Sequence, residues 1–290
     1  MNNCLKFVLI IVFACTVVEV NAAVINVDDM KQVQTKIEKL VRRTAASEML
    51  VAFDIDLTLT QPDQPALYYP MIKKHKAIYN QIMSELTPAQ RDLTLTLAVQ
   101  QPQILIDQLS PIIVRNIQGL GLKTIAFTAA GTGTLQYKSG EILRIENERY
   151  KALEKLSINF SKSFATEEIV FRGMPSHNGN YPVFYKGILF SNGEKDESGK
   201  TKKTSKGSVL VAFLEHLQLE PKFIVLIDDK MGNLLDVEQY LWLYNPEIKF
   251  LGIEYRGAYD YAPKDIGAEE FRQHWQSEAD RAKILLPSQS

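Results

Sequence analysis

Two pairs of carboxylates are the residues of this sequence whose types and spacing are best suited to chemistry. The pairs are Asp54 with Asp56, and Asp228 with Asp229. The first pair directly follows the apolar run 49–53 and the second directly follows the apolar run 223–227, and runs of this length are typical of buried strands. Side chains at positions i and i+2 project to the same side. Because close like charges resist joint ionisation unless a cation lies between them, the pattern indicates a metal site.

The elements that must position these carboxylates are parallel strands, since the carboxyl ends of parallel strands meet at one edge of a sheet and form a ligand-binding crevice there. Up to four carboxylates can then converge on one crevice, and all-oxygen ligation suits Mg²⁺. Thr128 ends a further apolar run and adds a hydroxyl at the same edge. Lys206 opens a predicted helix and places a cation within reach of it. An Asp-rich turn without a ligand is the structural alternative for each pair, because Asp favours turns.

Apolar strands alternate with helices along most of the chain. Predicted strands cover 49–53, 123–128, 223–227 and 249–253, and the segment 168–191 is strand-rich. Predicted helices cover 28–46, 139–156, 206–218, 234–243 and 268–284, and a proline-broken helical pattern covers 70–118. This alternation favours an α/β fold with a mostly parallel sheet covered on both faces.

Composition sets the broad class of the protein. The chain has 290 residues, of which 46% are hydrophobic and 23% charged, and these values are typical of a globular protein with a sizeable core. They exclude disorder as the main state. The net charge of −1 gives no electrostatic reason to expect a nucleic-acid partner.

The N-terminus has the pattern of a secretory signal peptide. Lys6 precedes an apolar stretch, 7–18, which is shorter than the roughly 20 residues that span a bilayer. Small residues follow, so we predict a signal peptide over 1–22, cleavage after Ala22 or the next residue, and export to the periplasm or the extracellular space. Both cysteines, Cys4 and Cys15, lie in this segment. The mature chain would therefore lack disulfides and thiolate ligands. A lipoprotein acylated at Cys15 is the alternative.

The set of motifs, taken in order, resembles the haloacid dehalogenase superfamily. The resemblance rests on the strings FDIDLT (53–58), IAFT (125–128), Lys206 and LIDD (226–229), with Asn233 beyond. It spans about residues 49 to 253 and is greatest for secreted, phosphatase-like bacterial members. It implies a three-layer Rossmann-like core for the domain 23–290.

The resemblance also implies a role for each motif residue. Asp54 would attack phosphorus to form an aspartyl phosphate, and Asp56 would transfer protons to and from the reacting oxygens. Mg²⁺ would be held by Asp54, the backbone carbonyl of Asp56, and the later acids: Asp229 directly, and Asp228 directly or through water. Thr128 and Lys206 would bind the phosphoryl oxygens. Lys186 and Lys203 are alternatives to Lys206.

Two inserts are expected to set the substrate. A helical cap-like insert is predicted over about 60–105, and the strand-rich insert, about 165–192, either extends the sheet or forms a second lid. The predicted function is hydrolysis of a small phosphorylated substrate by an exported Mg²⁺-dependent phosphomonoesterase. A phosphotransferase with the same residues, and a non-catalytic binding or effector protein that retains the fold, are the alternatives.

Overall fold

One large sheet organises the protein in a computed structural model that describes residues 22–136, 142–177, 179–193 and 204–286. The strands are β1 (Ala22–Val27), β2 (Met49–Phe53), β3 (Thr60–Pro62), β4 (Gln103–Leu105), β5 (Lys123–Thr128), β6 (Thr134–Gln136), β7 (Ile142–Arg144), β8 (Glu168–Val170), β9 (Val183–Tyr185), β10 (Ile188–Phe190), β11 (Phe223–Asp228) and β12 (Lys249–Tyr255). The helices are α1 (Met30–Val41), α2 (Tyr69–Lys74), α3 (Lys76–Ser84), α4 (Pro88–Gln100), α5 (Ser110–Gly119), α6 (Ile145–Lys155), α7 (Lys206–His216), α8 (Met231–Tyr244), α9 (Gly257–Asp260) and α10 (Ala268–Leu285).

The central sheet has the strand order β1-β12-β11-β2-β5-β10-β9-β8 in the described part of the chain. The pairs from β1 through to β10 are parallel, and β9 and β8 continue the sheet as antiparallel strands. The predicted α/β class with a largely parallel sheet is therefore confirmed. The strand-rich segment extends this sheet beyond β5.

Helices cover both faces of the sheet because β2 and β11 are apolar on both sides. Val51 and Phe53 of β2 belong to the cluster that contains residues of α1 and α5. Leu50 and Ala52, which alternate with them, belong to the cluster that contains residues of α7 and α8. A strand buried on both faces reads as a continuous apolar run, so the sequence pattern and the three-layer arrangement agree.

A helical layer lies outside this core. The ribbon of β3 and β4 joins the two ends of the segment that contains α2, α3 and α4. These helices share an apolar cluster with α10, whose Phe271 and Trp275 are fully buried. The Trp275 indole donates a hydrogen bond to the backbone oxygen of Ala66 at 3.0 Å. The C-terminal helix therefore completes the helical layer.

Several elements differ from the sequence prediction. Strands β3, β4 and β6 were not predicted, and β4 lies within the segment 70–118 that was predicted to be helical. Residues 142–144, predicted as helix, form β7 and pair with β6, so that α6 begins only at Ile145. Strand β1 was not predicted, and it pairs with β12 at the edge of the sheet. The predicted signal peptide lies outside the described residues except for its last residue, Ala22, which begins β1. Among the described helices, none has the length and apolar character needed to cross a membrane.

Candidate active site

The carboxyl ends of three neighbouring strands carry the predicted site residues. Asp54 directly follows β2, Thr128 ends β5, and Asp228 ends β11 with Asp229 next in the chain. Because β5, β2 and β11 are parallel, these residues lie at one edge of the sheet. The backbone N–H of Asp54 donates to the carbonyl of Ile227 at 2.8 Å, so the pairing of β2 with β11 continues as far as the site.

Three carboxylates meet at this edge. Asp54, Asp228 and Asp229 each offer an oxygen, and these oxygens lie within 4.8 Å of one another. All three residues are buried, and one oxygen of Asp229, Oδ1, has no hydrogen-bond partner. Within the described residues this is the one group of acidic, histidine or cysteine side chains close enough to share a metal ion. The structure thus brings together three of the four predicted carboxylates.

Lys206 is the cation inside the cluster. Its Nζ donates to Asp54 Oδ1 at 2.5 Å, to Asp228 Oδ2 at 2.6 Å and to the carbonyl of Phe127 at 2.7 Å. The side chain is 2% exposed, so its three N–H donors are all used by protein groups. Ser205 caps α7 and starts the helix at Lys206, which places this lysine under the ends of β2, β5 and β11.

The two lysine alternatives are resolved differently. Lys186 lies in the turn before β10, at the end of that strand remote from Thr128, and its Nζ lies 4.8 Å from the Tyr150 ring centroid. It therefore does not reach the carboxylates. Lys203 lies outside the described residues.

The pKa values of this cluster are set by burial and by the excess of negative charge. Burial raises the pKa of the Asp54 carboxyl well above its usual range; Lys206 opposes this, and the neighbouring acids add to it. Burial also raises the pKa of Asp229 from 3.8 to about 6. For Lys206, burial acts to lower the pKa, but the two carboxylates it contacts outweigh burial, so the pKa is raised and the lysine is charged.

Asp228 is the most heavily hydrogen-bonded of the carboxylates. Its Oδ1 accepts from the backbone N–H of Lys230 at 2.9 Å and from Asn233 Nδ2 at 2.8 Å. Its Oδ2 accepts from Lys206 and, at 3.0 Å, from the same Asn233 amide. Asp228 therefore has little capacity left to accept further hydrogen bonds or to bind a metal ion. Asp229, in contrast, has one oxygen without a hydrogen-bond partner, and the Lys230 ammonium lies 3.9 Å from it.

The fourth carboxylate, Asp56, is held separately. Its Oδ1 forms an ion pair with Arg149 at 2.8 Å, and its Oδ2 accepts from the Thr128 hydroxyl at 3.3 Å. The Asp56 side chain is 43% exposed, whereas that of Arg149 is 8% exposed. The expectation that both motif acids lie at one edge holds, but the Asp56 carboxylate is not part of the three-aspartate cluster.

A strained turn directly follows the two motif acids. Leu57 has φ 64°, a left-handed conformation that a branched L-residue adopts at a cost of about 1–2 kcal/mol. The turn is held by backbone bonds from Leu59 and Thr60 to the carbonyl of Ile55, at 3.0 and 2.9 Å. This tight turn follows Asp56 directly and lets the chain continue into β3.

Arg149 is a site residue that the sequence analysis missed, as is Lys230. Arg149 lies on α6, and its Nε is buried without a hydrogen-bond partner. The buried residues of α6 are Glu146, Arg149 and Leu153, a spacing typical of the inward face of a helix. Two charged residues share this spacing with a leucine, and this pattern was the available signal that Arg149 is buried. The polar composition of the helix concealed it.

Comparisons with known proteins add relatives from one bacterial genus. An uncharacterized protein of Rickettsia bellii is 24% identical over 262 residues, which cover 86% of this chain and 82% of that protein. The uncharacterized protein RP296 of Rickettsia prowazekii is 26% identical over 213 residues, covering 72% and 70% of the two chains. The uncharacterized protein RT0286 of Rickettsia typhi is 34% identical over 110 residues, covering 38% of this chain and 34% of that protein.

The family assignment made from the motifs is corrected by these comparisons. The chain is matched not by a haloacid dehalogenase model but by the model of a distinct family, over residues 26–284. Motifs as short as those at 53–58 and 226–229 specify a local arrangement at strand ends, and such arrangements do not define a family. The matched residues cover most of the chain, so the chain belongs to the family described as "Protein of unknown function (DUF2608)".

Proposed function

We propose that this protein is a Mg²⁺-dependent phosphomonoester hydrolase that works through a phosphoryl group carried on Asp54. The observation that carries the proposal is the buried cluster of three aspartates with one lysine at the carboxyl edge of the sheet. Three carboxylates and the Lys206 ammonium leave two negative charges, which Lys230, 3.9 Å from Asp229, offsets only in part, so a bound cation is favoured here. Fixed positive charge beside a carboxylate nucleophile suits an anionic substrate such as a phosphate ester.

The donor set fits Mg²⁺ on chemical grounds. All its ligands are oxygens, as Mg²⁺ prefers, and the pKa values of Asp54 and Asp229 are raised first by burial and then by the neighbouring acids, which a bound cation would offset. Asp54 and Asp229 would hold the ion, together with the backbone carbonyl of Asp56, while Asp228 would act mainly by orienting Lys206 and Asn233. When bound, the ion would supply positive charge that offsets repulsion between the carboxylates and the phosphate.

The first chemical step belongs to Asp54 and Asp56. An Asp54 carboxylate oxygen attacks phosphorus, and the bond between phosphorus and the ester oxygen breaks. Asp56 in its protonated form gives a proton to the departing oxygen, so that an alcohol leaves rather than an alkoxide, and the water of the second step restores that proton. In the second step a water molecule attacks phosphorus, Asp56 takes up its proton, and the bond to Asp54 breaks to release inorganic phosphate.

Lys206, Thr128 and Arg149 support these steps. Lys206 holds Asp54 in place and contributes positive charge at the position that the phosphoryl group would occupy. A phosphoryl oxygen would replace one of the present hydrogen-bond acceptors of Lys206. Thr128 and Arg149 fix the two oxygens of Asp56, which restricts the direction of proton transfer.

Hydrolysis of p-nitrophenyl phosphate with and without Mg²⁺ tests the proposal. We expect turnover with Mg²⁺, its loss in EDTA, and its restoration when Mg²⁺ is added in excess. The matched variants are Asp229→Asn, which should lose activity, and Asp280→Asn on α10, which should keep it. Undiminished turnover in chelator, or no turnover of any phosphomonoester with Mg²⁺, would contradict the proposal.

We also propose that the protein is exported after removal of residues 1–22. The support is the sequence pattern of a charged residue, a short apolar stretch and small residues. N-terminal sequencing of the protein from the producing cell tests this. A chain that begins near Ala23 is expected, and an intact Met1 on the secreted or periplasmic protein would contradict it.

A further inference from the structure

A cleft of about 380 Å³ opens on the side of the site where the loop after β5 begins. It lies between α4 of the helical layer, the loop after β5, and the start of α6. Its volume falls within the range of small-molecule sites. Two other hollows do not reach the site: one is lined by α10 alone, and the other lies beside α8 and the amino end of β12.

The walls of the cleft are the same elements that hold Asp56. Ala130 and Gly131 line it, and the backbone N–H of Ala130 donates at 3.0 Å to the Thr128 hydroxyl, which in turn contacts Asp56. Glu148 also lines it, and the next residue on α6 is Arg149, the ion-pair partner of Asp56. The cleft and the Asp56 carboxylate are therefore held by the same two elements, the loop after β5 and α6.

The cleft is built and not merely left open. Asn192, which is 2% exposed, accepts from the backbone N–H of Thr132 at 3.1 Å and donates to the carbonyl of Asn180 at 2.8 Å. These hydrogen bonds fix the wall formed by the loop after β5. Leu95 and Leu143 supply apolar surface on two further sides.

The described lining of the cleft carries negative charge. Its charged residues are Asp92 and Glu148, and none of the described residues that line the cleft is a lysine or an arginine. Lys151 lies 3.0 Å from Glu148 and offsets part of that charge. A second anionic group on a bound molecule would thus meet carboxylates, whereas the phosphate itself would meet Lys206.

We propose that this cleft binds the leaving group of the substrate and selects esters whose alcohol is uncharged or positively charged, with a ring-sized apolar part. The inference rests on the proposed phosphatase function. Esters that carry a carboxylate or a second phosphate are disfavoured, since like charges separated by roughly 7 Å in a partly solvated cleft cost between about 3-fold and about 10-fold in binding.

Three matched aryl phosphates test the inference with the full chain and Mg²⁺. They are 4-ethylphenyl phosphate, the phosphate of tyramine, and the phosphate of 3-(4-hydroxyphenyl)propionate. Two methylene groups insulate each charge from the phenol, so the leaving groups are of similar quality. We expect kcat/KM to be lowest for the carboxylate, by about 3- to 10-fold relative to the ethyl compound, and at least as high for the amine.

Two variants and one control separate the effect of charge from the effect of shape. Asp92→Asn should reduce the difference in kcat/KM between the carboxylate ester and the other two esters. Asp280→Asn, the same change outside the cleft, should leave that difference unchanged. Leu95→Trp fills the cleft from an exposed helix position and should lower kcat/KM for the aryl esters relative to acetyl phosphate, whose leaving group is small.

The outcomes distinguish the inference from the proposed function. Equal hydrolysis of the three esters, together with no effect of Leu95→Trp on their ratio to acetyl phosphate, would overturn the leaving-group cleft and leave the phosphatase intact. A preference for the carboxylate ester would overturn the charge selectivity. If no ester is hydrolysed, the proposed function and the inference fall together.

Discussion

Replacing Asp229 by asparagine is expected to stabilise the metal-free protein at neutral pH while it removes metal binding. Burial raises the pKa of Asp229 from 3.8 to about 6. An acid with a raised folded-state pKa destabilises the fold progressively as pH rises from 3.8 to about 6, and the penalty is complete above that value. Two pKa units correspond to roughly 3 kcal/mol. Asparagine has nearly the same shape without the charge, so most of this free energy should be recovered.

The assay is thermal unfolding in EDTA. At pH 8 the Asp229→Asn protein should unfold about 4 to 10 °C above the native protein, taking 2–4 °C per kcal/mol for a domain of this size. At pH 5 the gain should fall to roughly half, because the native carboxyl is then largely protonated. Asp280→Asn, at an exposed site on α10, should change stability by less than about 0.5 kcal/mol at either pH.

Mg²⁺ should reverse the order of stability at pH 8. A ligand that binds only the folded state raises its stability by mass action, so the native protein should gain with Mg²⁺ and the Asp229→Asn protein should not. If the variant is less stable than the native protein at pH 8 in EDTA, or if Mg²⁺ stabilises both proteins equally, the assignment of Asp229 to a buried metal site is wrong.

Three further substitutions test other parts of the structure. Lys206→Met leaves two buried carboxylates without their cation and should cost about 3–5 kcal/mol in the free energy of unfolding. Lys186→Met, at the other end of the sheet, should cost little. Equal losses of stability in chemical denaturation would refute the assignment of Lys206 as the cation of the carboxylate cluster. Arg149→Lys should lower kcat by about 10- to 100-fold with little change in KM, because it disturbs proton transfer by Asp56. The loss of kcat should be smaller for a p-nitrophenyl ester than for an alkyl ester, and an equal loss for both esters would refute that role. Trp275→Ala should cost about 3–5 kcal/mol, measured by denaturant unfolding, and an unaffected stability would show that α10 does not hold the helical layer.

The core of the fold was predictable because its strands are buried on both faces. The runs at 49–53 and 223–227 became β2 and β11, and the helices predicted at 206–218 and 268–284 became α7 and α10. Strand β1 was missed because the apolar residues around Ala22 were assigned to the end of a signal peptide. Strand β7 was missed because three residues before a helix carry too little periodicity to be separated from it.

The candidate site was predictable at the strand ends and at the start of α7, where Lys206 lies, but not on α6. Asp54, Asp228 and Asp229 follow from the rule that parallel strands bring their carboxyl ends together. The contact of Arg149 with Asp56 depends on how α6 packs, and no local pattern encodes that. The family was wrongly assigned because the motif residues indicate only which chemical groups lie at one edge of the sheet. Family membership reflects the whole of residues 26–284.

Detection of the phosphoryl group on Asp54 is the measurement that tests the central claim most directly. The Asp56→Asn protein is mixed with p-nitrophenyl phosphate and Mg²⁺, quenched in acid, and digested for mass spectrometry; the Asp54→Asn protein, checked for deamidation, is treated identically. Since Asp56→Asn keeps the nucleophile but slows the attack of water, it should accumulate a phosphorylated peptide that contains Asp54, and Asp54→Asn should show none. A covalent phosphoenzyme that persists in Asp54→Asn, or one that forms on another residue, would contradict the account.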